Sequence, residues 1–476
     1  MLKERIPFNR ELKRRTFLRK AGTVTGLGAL GTGYLTCRND SKTVSQKNNR
    51  GAIRINHVDF AVEPEPLIRP FGFKGGYLSE LWQTAALMGN ENGDDFIGLG
   101  TQSVLWSDAS VFASYSETKG NSLMAAITEK ALHLVEKTSF TNPIRLLDAV
   151  FEEVYKYGVK ITGHDKLRKT FVLNALVAFD NAAWLLYAHE NNILTFDDLI
   201  PEPYRPSLSY RHKQLAGIPL MTYGVPIEEI EQAVQQGYFF MKIKIGQPGN
   251  QDDMLEKDKA RIEAIHKTIG HIETPHTKDG KIPYYFDANG RYEKKETLLK
   301  LLDFLKKIGA YDRIAIIEEP FPEESPIDVH EFDLRFAADE SAHTDVDTEQ
   351  RIQMGYKAIA LKPIAKTLSM SMKIAQLAFE HNVPCFCADL TVNPILVDWN
   401  KNVAVRLAPF PGLELGLLET NGHQNYKNWK KMQSYHPCEG SSWMYAQNGV
   451  FHLDEKFYQK SGGIFMPSEH YQNLFH

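Results

Sequence analysis

Five charged segments punctuate the C-terminal half of the chain. They are Lys242-Ile243-Lys244-Ile245-Gly246, Asp287-Ala288-Asn289-Gly290, Glu318-Glu319-Pro320, Asp339-Glu340-Ser341 and Lys362-Pro363. Each follows a short run rich in β-branched or aromatic residues, so each reads as the end of a strand. Asp287, Glu318 and Asp339, brought by successive strands to one point, form an all-oxygen ligand set. Such a set suits a hard cation, and Mg²⁺ is the usual one when positions stay open for substrate oxygens and water. Lys242 and Lys244 are two residues apart on a strand and point the same way. Lys362 comes four strands later, which is half-way round a ring of eight. A lysine close to a second cation and a metal has a lowered pKa and can act as a base. A metal flanked by two opposed bases suits removal of a proton α to a carboxylate, with the metal holding the enediolate. Taken singly, a strand-end Asp is ordinarily a helix cap and a Lys-x-Lys a solvated face. Capping does not account for five in succession, in the order Lys, Asp, Glu, Asp, Lys.

The elements that must carry these groups recur at intervals of roughly 20–45 residues. Strand-like runs fall at Leu220 to Tyr223, Met241 to Ile245, Tyr284 to Phe286, Ile314 to Ile317, Phe336 to Ala338, Ala358 to Leu361, Pro384 to Cys387 and Val403 to Leu407. Amphipathic helical stretches separate them. Eight strands alternating with helices predict an α/β fold with a (β/α)8-type barrel over residues 215–437, and barrels place their chemistry at the C-terminal strand ends. Residues 53–205 differ in texture. Ala85 to Leu99 reads as a hairpin about Asn92-Gly93, and helices follow at Leu123 to Val135, Ile144 to Val159 and Phe171 to His189. This part is expected to form an α+β capping domain. Pro201-Glu202-Pro203-Tyr204-Arg205-Pro206 reads as the linker between the two, and the tail from 438 to 476 is expected to rejoin the cap.

Composition bounds the rest. The 476 residues are 43% hydrophobic and 24% charged with a net charge of −4, an ordinary globular balance that disfavours a nucleic-acid surface. Four cysteines exclude a disulfide framework, and Cys385, Cys387 and Cys438 read as packing residues. The N-terminus stands apart. Eight Lys/Arg fall in the first 20 residues, followed by the uncharged Ala21 to Leu35, which contains five glycines. A basic stretch before a short, Gly-rich apolar one reads as an export signal rather than a spanning helix. Residues 38–52 read as a polar tether.

Several of these motifs resemble known ones. Lys13-Arg14-Arg15-Thr16-Phe17-Leu18-Arg19-Lys20 resembles a twin-arginine export signal, ending near residue 37. Cys37 resembles the acylated cysteine of bacterial lipoproteins, with simple cleavage nearby as the alternative. The strand-end motifs, together with Leu176 to Trp184, resemble the enolase superfamily and within it the muconate lactonizing enzyme-like subgroup. The resemblance covers about residues 53 to 476. It implies that Asp287, Glu318 and Asp339 bind Mg²⁺ and that Lys244 and Lys362 are acid/base lysines on opposite faces of the substrate. It further implies that Lys242 contacts the substrate carboxylate and lowers the pKa of Lys244, while Asn289, Glu319 and Glu340 stand behind the metal ligands. Asp389 and Glu414 are candidates to face the substrate. Dipeptide-epimerising members resemble one another in an Asp-x-Asp at strand eight; the region assigned to it here, Pro411 to Gly416, holds one acid. The expectation is an exported Mg²⁺-dependent racemase or epimerase of a small carboxylate substrate, a dipeptide or N-substituted amino acid. A sugar-acid syn-dehydratase, a cycloisomerase and a non-catalytic binding lipoprotein are the alternatives. The expected partners are the substrate, a membrane through lipid alone, and further copies of the chain.

Overall fold

The computed structural model describes residues 51–73 and 76–476. The export motif and Cys37 lie outside them. Three antiparallel strands, β1 (His57–Phe73), β2 (Gly76–Gly89) and β3 (Asp95–Gln102), open the described part. The hairpin turns as its sequence predicts. Met88 lies opposite Phe96, and Gly93 sits at φ +89°, which only glycine enters without strain. Six helices follow: α1 (Val104–Ser107), α2 (Ala109–Ser114), α3 (Glu117–Val135), α4 (Pro143–Thr162), α5 (Lys169–Ala175) and α6 (Val177–Glu190). The single helix expected from Phe171 to His189 is thus two, bent by 49° at Leu176. Helix α6 lies directly on β3. A Cβ at Gly98 would come within 2.1 Å of the Ala182 amide nitrogen, so the close approach needs glycine there.

The barrel strands are β4 (Gln214–Ile218), β5 (Leu220–Met221), β6 (Met241–Lys244), β7 (Tyr284–Asp287), β8 (Ile314–Glu318), β9 (Phe336–Ala338), β10 (Ala358–Leu361), β11 (Cys385–Cys387) and β12 (Gly416–Glu419). Strands β4 and β5 are one run of chain divided at Pro219, which has no N–H to give a ladder. Strand β4 pairs with β12 and β5 with β6, all parallel. The sheet therefore curls until its last parallel strand meets its first. Side chains alternate in and out along each strand. The inward set Ala216, Ile218, Tyr285, Ile316, Ala337, Ala358, Ala360, Phe386 and Leu417 makes an apolar interior, with Phe239, Phe240, Phe410 and Leu413 at its N-terminal end.

One expectation needs correction, and the tail and the Pro201–Pro206 stretch gain detail. Strand eight is Gly416–Glu419, not Val403 to Leu407; Val403 and Ala404 close the helix Pro394–Ala404, whose every residue is buried. Val403-Ala404-Val405 is a short apolar run, which periodicity alone does not tell from the end of a buried helix. The tail rejoins the barrel before the cap. Its hairpin, β13 (Ala446–Gln447) and β14 (Val450–His452), adds antiparallel to β4, and only then does His470 reach Glu63 of β1, 2.6 Å away. The Pro201–Pro206 stretch is not a loose linker. It forms two tight turns between buried Ile200 and Leu208, and one continuous core runs through cap and barrel.

The cap is joined to the barrel by buried polar groups. Asp180 of α6 accepts hydrogen bonds from Ser369 N (3.0 Å) and Ser369 Oγ (2.5 Å), on the barrel helix Leu368–Glu380. Burial, opposed by these bonds, pushes the Asp180 carboxyl up to about 7. A carboxyl raised in the folded state is protonated there while the unfolded chain has lost its proton, so stability falls as pH rises from about 4 to 7. The expected slope is at most about 1.4 kcal/mol per pH unit. Urea unfolding of the wild type and Asp180→Asn across this window measures it. The wild type should lose stability relative to the variant as pH rises, and parallel curves would contradict the assignment.

Candidate active site

One inward step above the apolar interior, every side chain that carries chemistry is charged. Lys242 and Lys244 come from β6, Asp287 from β7, Glu318 from β8, Asp339 just after β9 and Lys362 just after β10, all buried. The alternation that hides Tyr285, Ile316 and Ala360 two residues earlier fixes their direction. The structure thus brings together all six of the metal-ligand and lysine candidates.

Their charges are mutually satisfied. Lys242 Nζ sits between Asp287 Oδ2 (3.0 Å) and Glu318 Oε1 (2.8 Å), with Glu419 Oε2 at 3.4 Å. Lys244 Nζ donates to Asp287 Oδ2 and Asn289 Oδ1, both at 2.6 Å. Lys362 Nζ donates to Asp339 Oδ2 at 2.5 Å. A fourth lysine, Lys366, donates to the carbonyls of Asp339 (2.5 Å) and Ala342 (2.9 Å) and lies 3.4 Å from Asp339 Oδ1. Tyr285 Oη donates to Glu318 Oε2. The supporting candidates hold the strand ends in shape. Asn289 gives Nδ2 to Glu340 Oε1 (3.0 Å), and Glu319 Oε1 accepts from Asp339 N, Ser341 N and Ser341 Oγ. Asn289, Glu319, Thr367 and Thr391 all have positive φ, so four non-glycine residues on this face carry backbone strain.

The electrostatics follow from burial and pairing. Burial, then the Asp287 carboxylate, pushes Glu318 well above the usual carboxylate range. Burial works in the same direction on Asp287 and Asp339. The Lys242 and Lys244 ammoniums nevertheless hold Asp287 at about 2, and Lys362 with Lys366 holds Asp339 low. Burial would lower both Lys242 and Lys362, but Asp287 and Asp339 respectively raise them. The lowered lysine pKa expected for Lys362 is therefore absent while Asp339 is paired with it.

These groups line a cavity of about 50 Å³, and a chamber of about 870 Å³ adjoins it at Leu220, Lys244 and Asn289. Five carboxylates and three lysines border the inner cavity. Glu318, Asp339 and Glu340 bring oxygens within 4.8 Å of one another, and Glu340 Oε2 is buried without a hydrogen-bond partner. An excess of negative charge, hard oxygen donors and one unsatisfied carboxylate oxygen fit a divalent cation. The grouping differs from the expected trio. Glu340 joins Glu318 and Asp339, while the Lys242 ammonium stands between Asp287 and Glu318.

Asp389 lines the cavity, with Oδ2 accepting from Asn421 N at 2.7 Å. Burial, then Glu419, raises it to about 7. Glu414 does not. It is exposed beside Leu413, which bridges to Thr277 at the N-terminal end of the barrel. The error follows from the misplaced eighth strand, whose true end, Glu419-Thr420-Asn421, puts Glu419 and Asn421 in the cavity. The signal was present, since Gly416-Leu417-Leu418-Glu419 is one more apolar run closing on a charge. Lys366, which also reaches this site, has no comparable pattern.

Residues 227–420 match the family model described as enolase C-terminal domain-like. No curated protein matches the sequence. The fold matches a dipeptide epimerase from Enterococcus faecalis complexed with Mg and L-Leu-L-Tyr, with TM-score 0.59, 16% identity and coverage of 85% of this chain and 98% of that one. It also matches the L-Ala-D/L-Glu epimerase from Bacillus subtilis (TM-score 0.57, 15% identity, 84% and 97% coverage). A third match is the N-succinyl Arg/Lys racemase from Bacillus cereus (TM-score 0.57, 17% identity, 84% and 93% coverage). At 15–17% identity these matches show a shared fold.

If Glu318, Asp339 and Glu340 hold a divalent cation, Mg²⁺ should raise the melting temperature of the full chain. A ligand at a hundred times its Kd adds about 2.7 kcal/mol. Differential scanning calorimetry with and without 10 mM Mg²⁺ should show the shift in the wild type and its loss in Glu318→Gln. Equal shifts in both would remove Glu318 from the site.

Proposed function

We propose that the protein is a Mg²⁺-dependent racemase or epimerase, acting α to the carboxylate of a dipeptide or N-acylated amino acid. One observation carries the reading: Lys244 and Lys362 border the same cavity from strands β6 and β10, half-way round the ring from each other, with the acidic cluster between them. Two bases on opposite sides of one carbon are what a 1,1-proton transfer needs. One removes the α-proton, and the other returns a proton from the opposite face. A bound divalent cation supplies the positive charge that stabilises an enediolate. Lys242, its ammonium buried among Asp287, Glu318 and Glu419, is placed to meet the substrate carboxylate. Asp339, once it shares its charge with a cation, holds the Lys362 proton less tightly.

Glu419, Asn421 and Asp389 support a substrate that also carries an amino group. They border the cavity at the ends of β11 and β12, where two acids and an amide can accept from an ammonium. The twin-arginine-like segment and Cys37 support a location outside the cytoplasm, where peptide fragments are met.

The test removes each lysine in turn. In deuterated water Lys244→Ala should exchange the α-proton of one stereoisomer only, and Lys362→Ala that of the other. Net epimerisation should fall by on the order of 10²–10⁴-fold in both. NMR of each isomer incubated separately reads the outcome. A Lys362→Ala variant that epimerises normally would point instead to a one-base reaction started by Lys244, an elimination or cycloisomerisation.

A further inference from the structure

The two lysines are not equally reachable. Lys244 borders both the inner cavity and the outer chamber, and its side chain is 11% exposed. Lys362 borders the inner cavity alone, and its side chain is 3% exposed. The indole of Trp106 covers it, with Lys362 Nζ 4.2 Å from the ring centroid, a favourable cation–π distance. Trp106 belongs to the cap helix α1, which is pinned at both ends. Ser103 N and Ser107 Oγ each donate to Asn174 Oδ1 at 3.0 Å. Immediately after it, Asp108 Oδ2 accepts from Arg168 N at 3.0 Å, and the Arg168 guanidinium grips Glu323 of the barrel through two hydrogen bonds. The roof is therefore fixed to both parts of the molecule.

The asymmetry bears on entry. The inner cavity of about 50 Å³ meets the chamber of about 870 Å³ at Leu220, Lys244 and Asn289, which is the Lys244 side.

We infer that Trp106 is a specificity-determining residue that closes the Lys362 side of the cavity, so that substrate reaches both lysines only from the chamber on the Lys244 side. Resting on the two-lysine reading above, this requires the group on the reacting carbon to fit beneath the indole or lie toward Lys244. Enlarging that space should admit bulkier substituents.

Access can be tested without turnover. The purified full chain, in Mg²⁺-containing buffer, is treated with trace acetic anhydride, and the acetylation rate of each lysine is read by mass spectrometry. In the wild type Lys244 should react at least tenfold faster than Lys362. Trp106→Ala should raise the Lys362 rate at least tenfold and leave Lys244 within twofold, while Trp106→Phe should keep Lys362 slow. Lys401, buried elsewhere and 2.6 Å from Asp398, reports general opening. If Lys401 also becomes reactive in Trp106→Ala, Trp106→Leu, which keeps more apolar volume, decides instead. Equal rates for the two lysines in the wild type, or a Lys362 rate unmoved by opening the roof, would overturn the inference. Neither result bears on whether the α-proton is exchanged, so the two readings fail separately.

Discussion

The structure depends on one balance: a layer of buried ammoniums and carboxylates laid across the C-terminal end of an apolar barrel. None of these groups could be buried alone, because an isolated ion taken out of water costs several kcal/mol. Lys242 is tolerated because Asp287 and Glu318 flank it, and Asp339 because Lys362 and Lys366 approach from either side. The apolar interior beneath, from Tyr285 to Leu417, gives the charges no other way to turn. The same low-dielectric setting that makes an unpaired charge costly makes a well-placed one effective toward a reacting carbon.

The cap completes this layer rather than merely covering it. Leu67, Leu78 and Leu81 from β1 and β2, with Trp106 from α1, close the cavity over the lysines. Their position is held by polar contacts to the barrel, notably Asp180 with Ser369 and Arg168 with Glu323. The barrel thus brings the charged groups and the cap brings the apolar wall above them, on a fold shared with dipeptide epimerases and an N-succinyl amino acid racemase at 15–17% identity.

The barrel strands from Met241–Lys244 to Ala358–Leu361 could be read directly because each closes on a charge, whereas the first, with no charged end, was read as Leu220 to Tyr223 and lacked Gln214–Ile218. The eighth could not. Val403-Ala404-Val405 is a short β-branched apolar run at the end of the buried helix Pro394–Ala404, so Val403 to Leu407 passed for a strand. That slip moved the predicted substrate acid to Glu414, at the wrong end of the barrel, and hid Glu419 and Asn421. Glu340 was visible as a residue but not as a member of the acidic cluster, since only the turn held by Glu319 brings its carboxylate beside Glu318 and Asp339. Lys366 was invisible for a different reason. It reaches the site from a helix, one turn beyond Lys362, and no strand-end pattern marks it.

The central claim is that Lys244 and Lys362 remove and return the proton of one carbon held between them, with a divalent cation at the acidic cluster supplying the charge that would make this possible. Proton NMR of the wild-type protein in deuterated water, with a library of dipeptides and their epimers, tests it most directly. The account predicts loss of the α-proton signal from both epimers of at least one substrate, their interconversion, and arrest of both processes by a chelator. Exchange that persists with the chelator present, or conversion to a keto acid with no deuterium in the recovered substrate, would contradict it.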